Sequence, residues 1–275
     1  MEISNSQAVP SPENLHPLIT EGRQDGNCWY VKTTKYQKDM ELVAIKLDSE
    51  DRLRRGGGSA RKNSSKTQMD DKTLKKSQQR SKRTIKQRCL QAEFDRILTL
   101  TFKFNLQDID EAWRVFKYFI KLMKKRYPNL TYLVVPEYQK RGAVHFHIAI
   151  KGYIYHGTVR RIWRRAAGTY GGNVDITNPK NYGRFNTNKR RYSWRSSDIA
   201  NYLSKYLTKD ETVEFNRRRY ASGGVFTAPT IIRGFIARGF PMHRLARDVF
   251  SKFRHSINFE WESEEGFFPI HYYST

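Results

Sequence analysis

The chain has 275 residues, of which 51 are Lys or Arg and 27 are Asp or Glu, so its net charge is +24. Such an excess of positive charge repels itself in a compact fold, and it is typical of a protein whose partner is a polyanion such as nucleic acid. A membrane surface is disfavoured as that polyanion, because no apolar run could span a bilayer and residues 1–20 lack the layout of a signal peptide. Cys28 and Cys89 lie far apart with no CxxC spacing, which argues against a disulfide scaffold or a structural zinc site and indicates a reducing cytoplasm, here that of a bacterial host.

Residues 1–90 are predicted to form a polar and basic N-terminal region that is largely flexible. A short strand pair is plausible at 29–34 and 42–47. From Arg52 to Arg88 the sequence holds fourteen Lys or Arg, two acidic residues and almost no large apolar side chain. Such a stretch buries too little surface to offset its ordering entropy, so we expect a flexible arm that either contacts DNA or only tethers two parts. Its C-terminal part could become helical on binding.

Residues 91–212 carry the periodicities of a folded domain. Their order is strand, helix, strand, strand, helix, strand, which predicts an α+β fold with an antiparallel β-sheet and helices on one face. A polar loop then leads to a further helix. The predicted elements are strands at 96–104, 130–138, 144–151 and 173–177, and helices at 108–126, about 158–167 and 198–209.

Residues 213–275 are predicted to be a C-terminal extension. A helix is expected at 242–253, and the acidic, aromatic tail from Asn258 is expected to be an edge strand followed by a loose end. The sequence assigns no function to this region.

The strongest local motif is a strand in which His145 and His147 alternate with Phe146. Residues two apart in a strand point to one face, so the two imidazoles project side by side. A five-residue turn at 139–143 would set Glu137 opposite His145 on that face. Two imidazoles and a carboxylate form a three-ligand site suited to Mg²⁺ or Mn²⁺ in a phosphoryl-transfer enzyme. The alternative is a polar strand face with two hydrogen-bonded histidines.

A second motif supplies a candidate nucleophile. Tyr202 and Tyr206 are one helical turn apart, and Lys209 is one turn further along the same face. A phenol is a poor nucleophile near neutral pH and needs a polarised phosphate or a nearby cation, for which Lys205 and Lys209 are candidates. The alternative is a pair of half-buried structural tyrosines.

Other residues are candidates for DNA contacts or for support of the site. Thr99 and Thr101 share one face of a strand expected to lie beside the histidine strand, although a plain core strand is equally consistent with the pattern. Aromatic residues among arginines could stack unpaired bases. Trp194 in the polar loop is the better candidate, whereas Trp163 is expected to pack its helix. The residues predicted to contact DNA are Trp194, Arg195, Arg160 and Arg164.

Taken together, these motifs resemble those of rolling-circle replication initiators (Rep proteins) of the HUH endonuclease superfamily, encoded by single-stranded DNA phages, plasmids and related elements. The Leu98–Thr101 stretch is similar to their first motif, and Glu137 with His145-Phe146-His147 is similar to their second. The Tyr202–Lys209 stretch is similar to their third motif in its two-tyrosine form. The resemblance covers about residues 95–210.

The resemblance implies a ferredoxin- or RRM-like core, a divalent metal, and a nick in single-stranded origin DNA. The nick would leave a 5′-phosphotyrosine and a free 3′-OH. Because the sequence shows no GxxxxGK[ST] motif, a host helicase is expected to act with the host polymerase. Three alternatives stay open: a transposase or conjugative relaxase with the same chemistry, a non-catalytic nucleic-acid-binding protein, and a metal-dependent hydrolase that uses activated water.

Overall fold

The computed structural model describes residues 15–22, 28–47, 71–177, 195–209, 219–263 and 270–275. The chain divides into two compact units, one of Met1–Ser65 with Ala228–Thr275 and one of Lys66–Thr227. Each unit contains a five-stranded antiparallel sheet. Within these described ranges, no helix is both long and apolar enough to cross a membrane.

The first unit joins strands from both ends of the chain in one sheet, and a single helix packs on it. Its strand order is β8-β1-β2-β10-β9. Its elements are β1 (Cys28–Lys35), β2 (Met40–Leu47), β8 (Thr230–Ala237), α5 (Met242–Lys252), β9 (Phe259–Ser263) and β10 (Ile270–Ser274).

The second unit contains the βαββαβ order predicted from the sequence, and the α+β class with its antiparallel sheet is confirmed. Its strand order is β6-β3-β5-β4-β7. Its strands are β3 (Arg96–Phe102), β4 (Tyr132–Tyr138), β5 (Val144–Ile150), β6 (Gly171–Thr177) and β7 (Ala221–Gly223), and its helices are α1 (Asp71–Ala92), α2 (Ile109–Arg126), α3 (His156–Ala167) and α4 (Ser196–Lys209).

Helices cover both faces of the second sheet. The two helices of the βαββαβ core, α2 and α3, lie on one face as expected, over a core that includes Leu98 and Phe146. The other face carries α1 and α4, which bury Ile85 and Leu203 against Leu133 and other strand residues. The second face is the one that carries the histidines, so a second helical layer borders the candidate site.

Helix α1 corrects the prediction of a flexible arm over its C-terminal half. It begins at Asp71 and packs along α4. Ile85, Cys89 and Ala92 recur at helical spacing and are buried, so a sparse apolar stripe is enough to anchor a helix whose other faces are basic. The Arg52–Asp70 part of the predicted arm lies outside the described residues.

The predicted loose end also proves to be wrong. Strand β10 lies between β2 and β9, with Tyr272 paired to Val43 on one side and to Trp261 on the other. The predicted strand pair of residues 29–34 and 42–47 is confirmed as β1 and β2. The structural units therefore divide the chain differently from the predicted segments 1–90, 91–212 and 213–275, because the N- and C-terminal segments pair with each other.

Candidate functional site

The hairpin of β4 and β5 fixes the relative positions of the acid and the imidazoles. The turn between them requires Gly142, whose φ is +87° and whose amide donates to the Gln139 carbonyl. Tyr138 then pairs with Val144, and Glu137 lies directly opposite His145. The register predicted from the turn length is confirmed, with the three side chains on one face of the sheet.

His147 is held by two polar contacts. Its Nε2 lies 2.7 Å from Glu137 Oε2, and its Nδ1 lies 3.3 Å from Thr99 Oγ1. A carboxylate only accepts, so in the neutral ring Nε2–H donates to Glu137 and Nδ1 accepts from the Thr99 hydroxyl. Glu137 and Thr99 thus set both the orientation and the tautomer of this imidazole.

His145 is buried and differs from its neighbour in lacking a partner. No group among the described residues hydrogen-bonds its Nε2. Burial, followed by the nearby His147, lowers the pKa of His145 to about 4, although Glu137 acts in the opposite direction. The ring is therefore neutral at physiological pH and presents an unshared electron pair, which is the form that ligates a metal ion.

Helix α4 brings the two tyrosines to the same imidazole. The helix is anchored to the sheet through Leu203, which is fully buried. Tyr206 stacks on His147 with 4.1 Å between ring centroids and 6° between ring planes. Tyr202 meets the same ring edge-on at 5.8 Å and lies 5.2 Å from Tyr206. Both rings are half-buried, on the histidine side of the sheet.

The donor set suits a divalent metal by chemistry, although its side chains are not arranged around one. In the described part of the chain, no group of three or more His, Cys, Asp or Glu could hold an ion as it stands. A hydrogen bond draws Glu137 and His147 together, while the buried Nε2 of His145 is left without a partner. An unsatisfied buried nitrogen is costly, and a cation shared with the neighbouring donors would satisfy it.

An open cavity of about 600 Å³ adjoins His145. Thr101, Gln139, Lys140 and Arg141 line the rest of it. The Arg141 guanidinium is oriented by Gln139 Oε1 at 3.0 Å and by a backbone carbonyl of β3. Two cations beside a neutral imidazole form a site for an anion such as phosphate. Sequence reasoning missed Lys140 and Arg141, although both lie in the turn it identified.

A β-bulge places Thr101 at this cavity. The register of β3 with β6 shifts between Leu100 and Phe102. There Gly172 approaches the backbone of β3 so closely that a Cβ would lie 2.7 Å from the Thr101 carbonyl oxygen. The Thr101 hydroxyl pairs with the backbone of Asn173. Thr99 and Thr101 thus both lie on the histidine face, next to the histidine strand.

The predicted DNA-contacting arginines are not brought to this site. Arg160 and Arg164 are exposed on α3, the layer on the opposite face of the sheet from the histidines. Trp163 of the same helix is fully buried and donates to the Thr101 carbonyl, so the expected packing role is confirmed. Arg195 is exposed just before α4 and pairs with Asp198 at 3.3 Å.

Two further predicted residues lie at or beyond the limits of the described structure. Lys205 is exposed on α4, between the two tyrosines in sequence. Lys209 ends the helix, and its side chain is outside the described residues, as is the whole of Trp194.

Residues 95–211 match the model of a family of replication-associated proteins, described as Replication-associated protein ORF2. The matched segment contains all three motifs, and it covers less than half of the 275-residue chain. It lies within the second unit and includes Glu137, both histidines and both tyrosines. The match supports the Rep-like character of this segment. No curated protein and no solved structure matches the chain.

Proposed function

We propose that the second unit nicks single-stranded DNA by tyrosine attack and that the protein initiates rolling-circle replication. The observation that carries this proposal is the contact of both tyrosine rings with His147, the imidazole that is hydrogen-bonded to Glu137. The match to a replication-associated family supports the same conclusion. A purely structural pair of tyrosines would have no need to meet an acid and two imidazoles.

In this proposal Glu137, His145 and His147 hold a divalent cation, Mg²⁺ or Mn²⁺. When bound, such a cation acts as a Lewis acid on a phosphate oxygen. Arg141 and Lys140 bind the DNA backbone at the adjoining cavity and keep the scissile phosphate within reach.

The nick is a balanced phosphoryl transfer. The hydroxyl oxygen of Tyr202 or Tyr206 forms a bond to phosphorus and gives up its proton, and the bond from phosphorus to the 3′ oxygen breaks. That oxygen takes up a proton and leaves as a free 3′-OH, while the 5′ phosphate stays on the tyrosine. The phosphotyrosine conserves the bond energy, so reversal by a 3′-OH closes the strand without ATP.

Two tyrosines on one helix face permit two successive nicks. While one holds the first 5′ end, the other can attack the junction regenerated by a full round of synthesis. Lys205 and Lys209 are proposed to favour the phenolate. The free 3′-OH would prime a host polymerase, with a host helicase separating the strands.

The experiment is a covalent capture. The full chain is incubated with Mn²⁺ and a pool of random-sequence single-stranded oligonucleotides labelled at the 3′ end, because the proposed adduct carries the downstream fragment. We expect a labelled protein band that survives denaturation. The Tyr202→Phe/Tyr206→Phe double variant should lose it, whereas Tyr118→Phe, an exposed tyrosine of α2, should retain it.

The controls separate the competing functions. His145→Ala should abolish the adduct while leaving DNA affinity nearly unchanged. Cleavage without an adduct would indicate a hydrolase that uses water, and binding without cleavage would indicate a non-catalytic module. As much adduct in the double variant as in the wild type would end the tyrosine hypothesis. A transposase or relaxase would differ in its DNA substrate alone.

A further inference from the structure

The sheet of the first unit has one packed face and one open face. Helix α5 and the segment that contains Leu15 and Ile19 bury one face, with Val31 and Leu42 at its centre. Strand residues alternate between faces, so their neighbours point the other way. Among the described residues of this unit, no helix packs on that second face.

Aromatic rings run across the open face. Tyr30 on β1 lies opposite Phe235 on β8, with 5.6 Å between ring centroids. At the other end of the sheet Tyr272 pairs with Trp261, and its ring lies 6.0 Å from that of Phe259. Phe259 and Trp261 are 55 % and 49 % exposed. Large exposed rings grouped on one surface mark an interaction site.

Positive charge lies between these rings. Lys32 and Arg233 are directly opposite one another on β1 and β8, and Arg233 is exposed. Like charges at directly opposed positions destabilise a sheet unless an anion offsets them. The acidic residues of β9, Glu260 and Glu262, alternate onto the opposite face, where Glu262 pairs with His271.

Glu41 is the acidic residue of the β1 and β2 pair on this face. Its carboxylate accepts hydrogen bonds from the hydroxyls of Tyr272 at 2.6 Å and of Tyr36 at 3.2 Å. Within the described residues, the open face therefore combines flat rings on several strands, two opposed cations and a carboxylate held by phenols. Flat rings beside cations are the features that bind unpaired bases and their phosphates.

We propose that this open face is a second binding site for single-stranded DNA, separate from the nicking site. Bases stack on Trp261 and Phe259 at one side of the sheet and on the Tyr30–Phe235 pair at the other. Phosphates between them contact Lys32 and Arg233. The proposal does not depend on the chemistry of the second unit, since the residues that carry it all belong to the first.

The test uses the full chain with the Tyr202→Phe/Tyr206→Phe background, so that cleavage cannot distort the measurement. Fluorescence anisotropy compares a labelled 20-nucleotide oligo(dT), an abasic strand of equal length, the duplex, and oligo(rU). A stacked base contributes roughly 5- to 150-fold in affinity. We therefore expect Trp261→Ala and Phe259→Ala each to weaken oligo(dT) binding at least about fivefold, with a small effect on the abasic strand.

Matched variants keep the result interpretable. Glu260→Ala changes an exposed residue of the same strand on the other face, and it should bind oligo(dT) at least as tightly as the parent. Trp261→Phe should retain most of the affinity, because a ring remains. Arg233→Glu should weaken binding to both strands, since it reverses a phosphate contact. Melting temperatures of all variants should stay close to that of the parent, because these side chains are exposed.

Unchanged oligo(dT) affinity in Trp261→Ala and Phe259→Ala would overturn the proposal. So would equal binding of the abasic strand, or tighter binding of the duplex or of oligo(rU). With both tyrosines restored, Trp261→Ala should still form the covalent adduct at saturating DNA. Loss of stacking with an intact adduct, and loss of the adduct with intact stacking, therefore distinguish this site from the nicking site.

Discussion

Tyr206 separates the structural role of an aromatic ring from the chemical role of its hydroxyl. Its ring stacks on His147 at 4.1 Å and meets Tyr202 at 5.2 Å. Each aromatic pair contributes about 0.5–1.5 kcal/mol beyond the area it buries, so the two pairs together amount to about 1–3 kcal/mol. Tyr206→Ala removes both pairs as well as half-buried surface, whereas Tyr206→Phe keeps the ring.

The assay is urea denaturation followed by circular dichroism, with adduct formation measured on the same samples. We expect Tyr206→Ala to lower the free energy of unfolding by about 2–4 kcal/mol, because lost burial adds to the lost pairs. Tyr206→Phe should change it by less than about 1 kcal/mol, within the range of a single net hydrogen bond, and should still reduce the adduct formed. If the phenylalanine and alanine variants lost equal stability, the hydroxyl rather than the stacked ring would hold this helix to the histidine.

Three further predictions address the site and the core. Glu137→Gln keeps a hydrogen bond to His147 but loses its charge, so it should cost about 1 kcal/mol of stability, measured by urea denaturation, yet reduce adduct formation at least about 100-fold, a range seen when neighbours of metal ligands are changed; a proportionate loss of both would contradict a chemical role. Trp163→Phe leaves the Thr101 carbonyl without its donor, and it should lower the free energy of unfolding by about 2–4 kcal/mol with little change in oligonucleotide affinity. Burial raises the pKa of the Cys89 thiol, and Cys28 is also buried and free, so neither should react with iodoacetamide at pH 7.5 until the protein is denatured, as read by mass spectrometry; rapid labelling of the native protein would contradict the packing described.

The histidine hairpin could be predicted from the sequence because local rules determine it. Alternation in a strand puts His145 and His147 on one face, and the turn closed by Gly142 fixes which residue faces them. The one-turn spacing of Tyr202 and Tyr206 likewise follows from helix geometry. Their meeting with His147 was inferred from the order of the motifs, and the structure brings the rings together.

Features that depend on distant pairing were missed. Strand β10 joins β2 across more than 200 residues, and neither strand's pattern specifies that partner. Helix α1 was interpreted as a flexible arm because its lysines and arginines outnumber the few apolar residues that anchor it, notably Ile85 and Cys89. Arg141 escaped notice because a turn residue shows its role only when the cavity beside His145 is seen.

The central claim is that a tyrosine of α4 becomes joined to DNA, and the chain offers a direct way to locate that bond. Lys205 lies between the two tyrosines, so trypsin places Tyr202 and Tyr206 on different peptides, residues 196–205 and 206–209. Mass spectrometry of the digested, nuclease-trimmed adduct should find a nucleotide on one or both of these peptides. A nucleotide on any other peptide, or on none, would contradict the account.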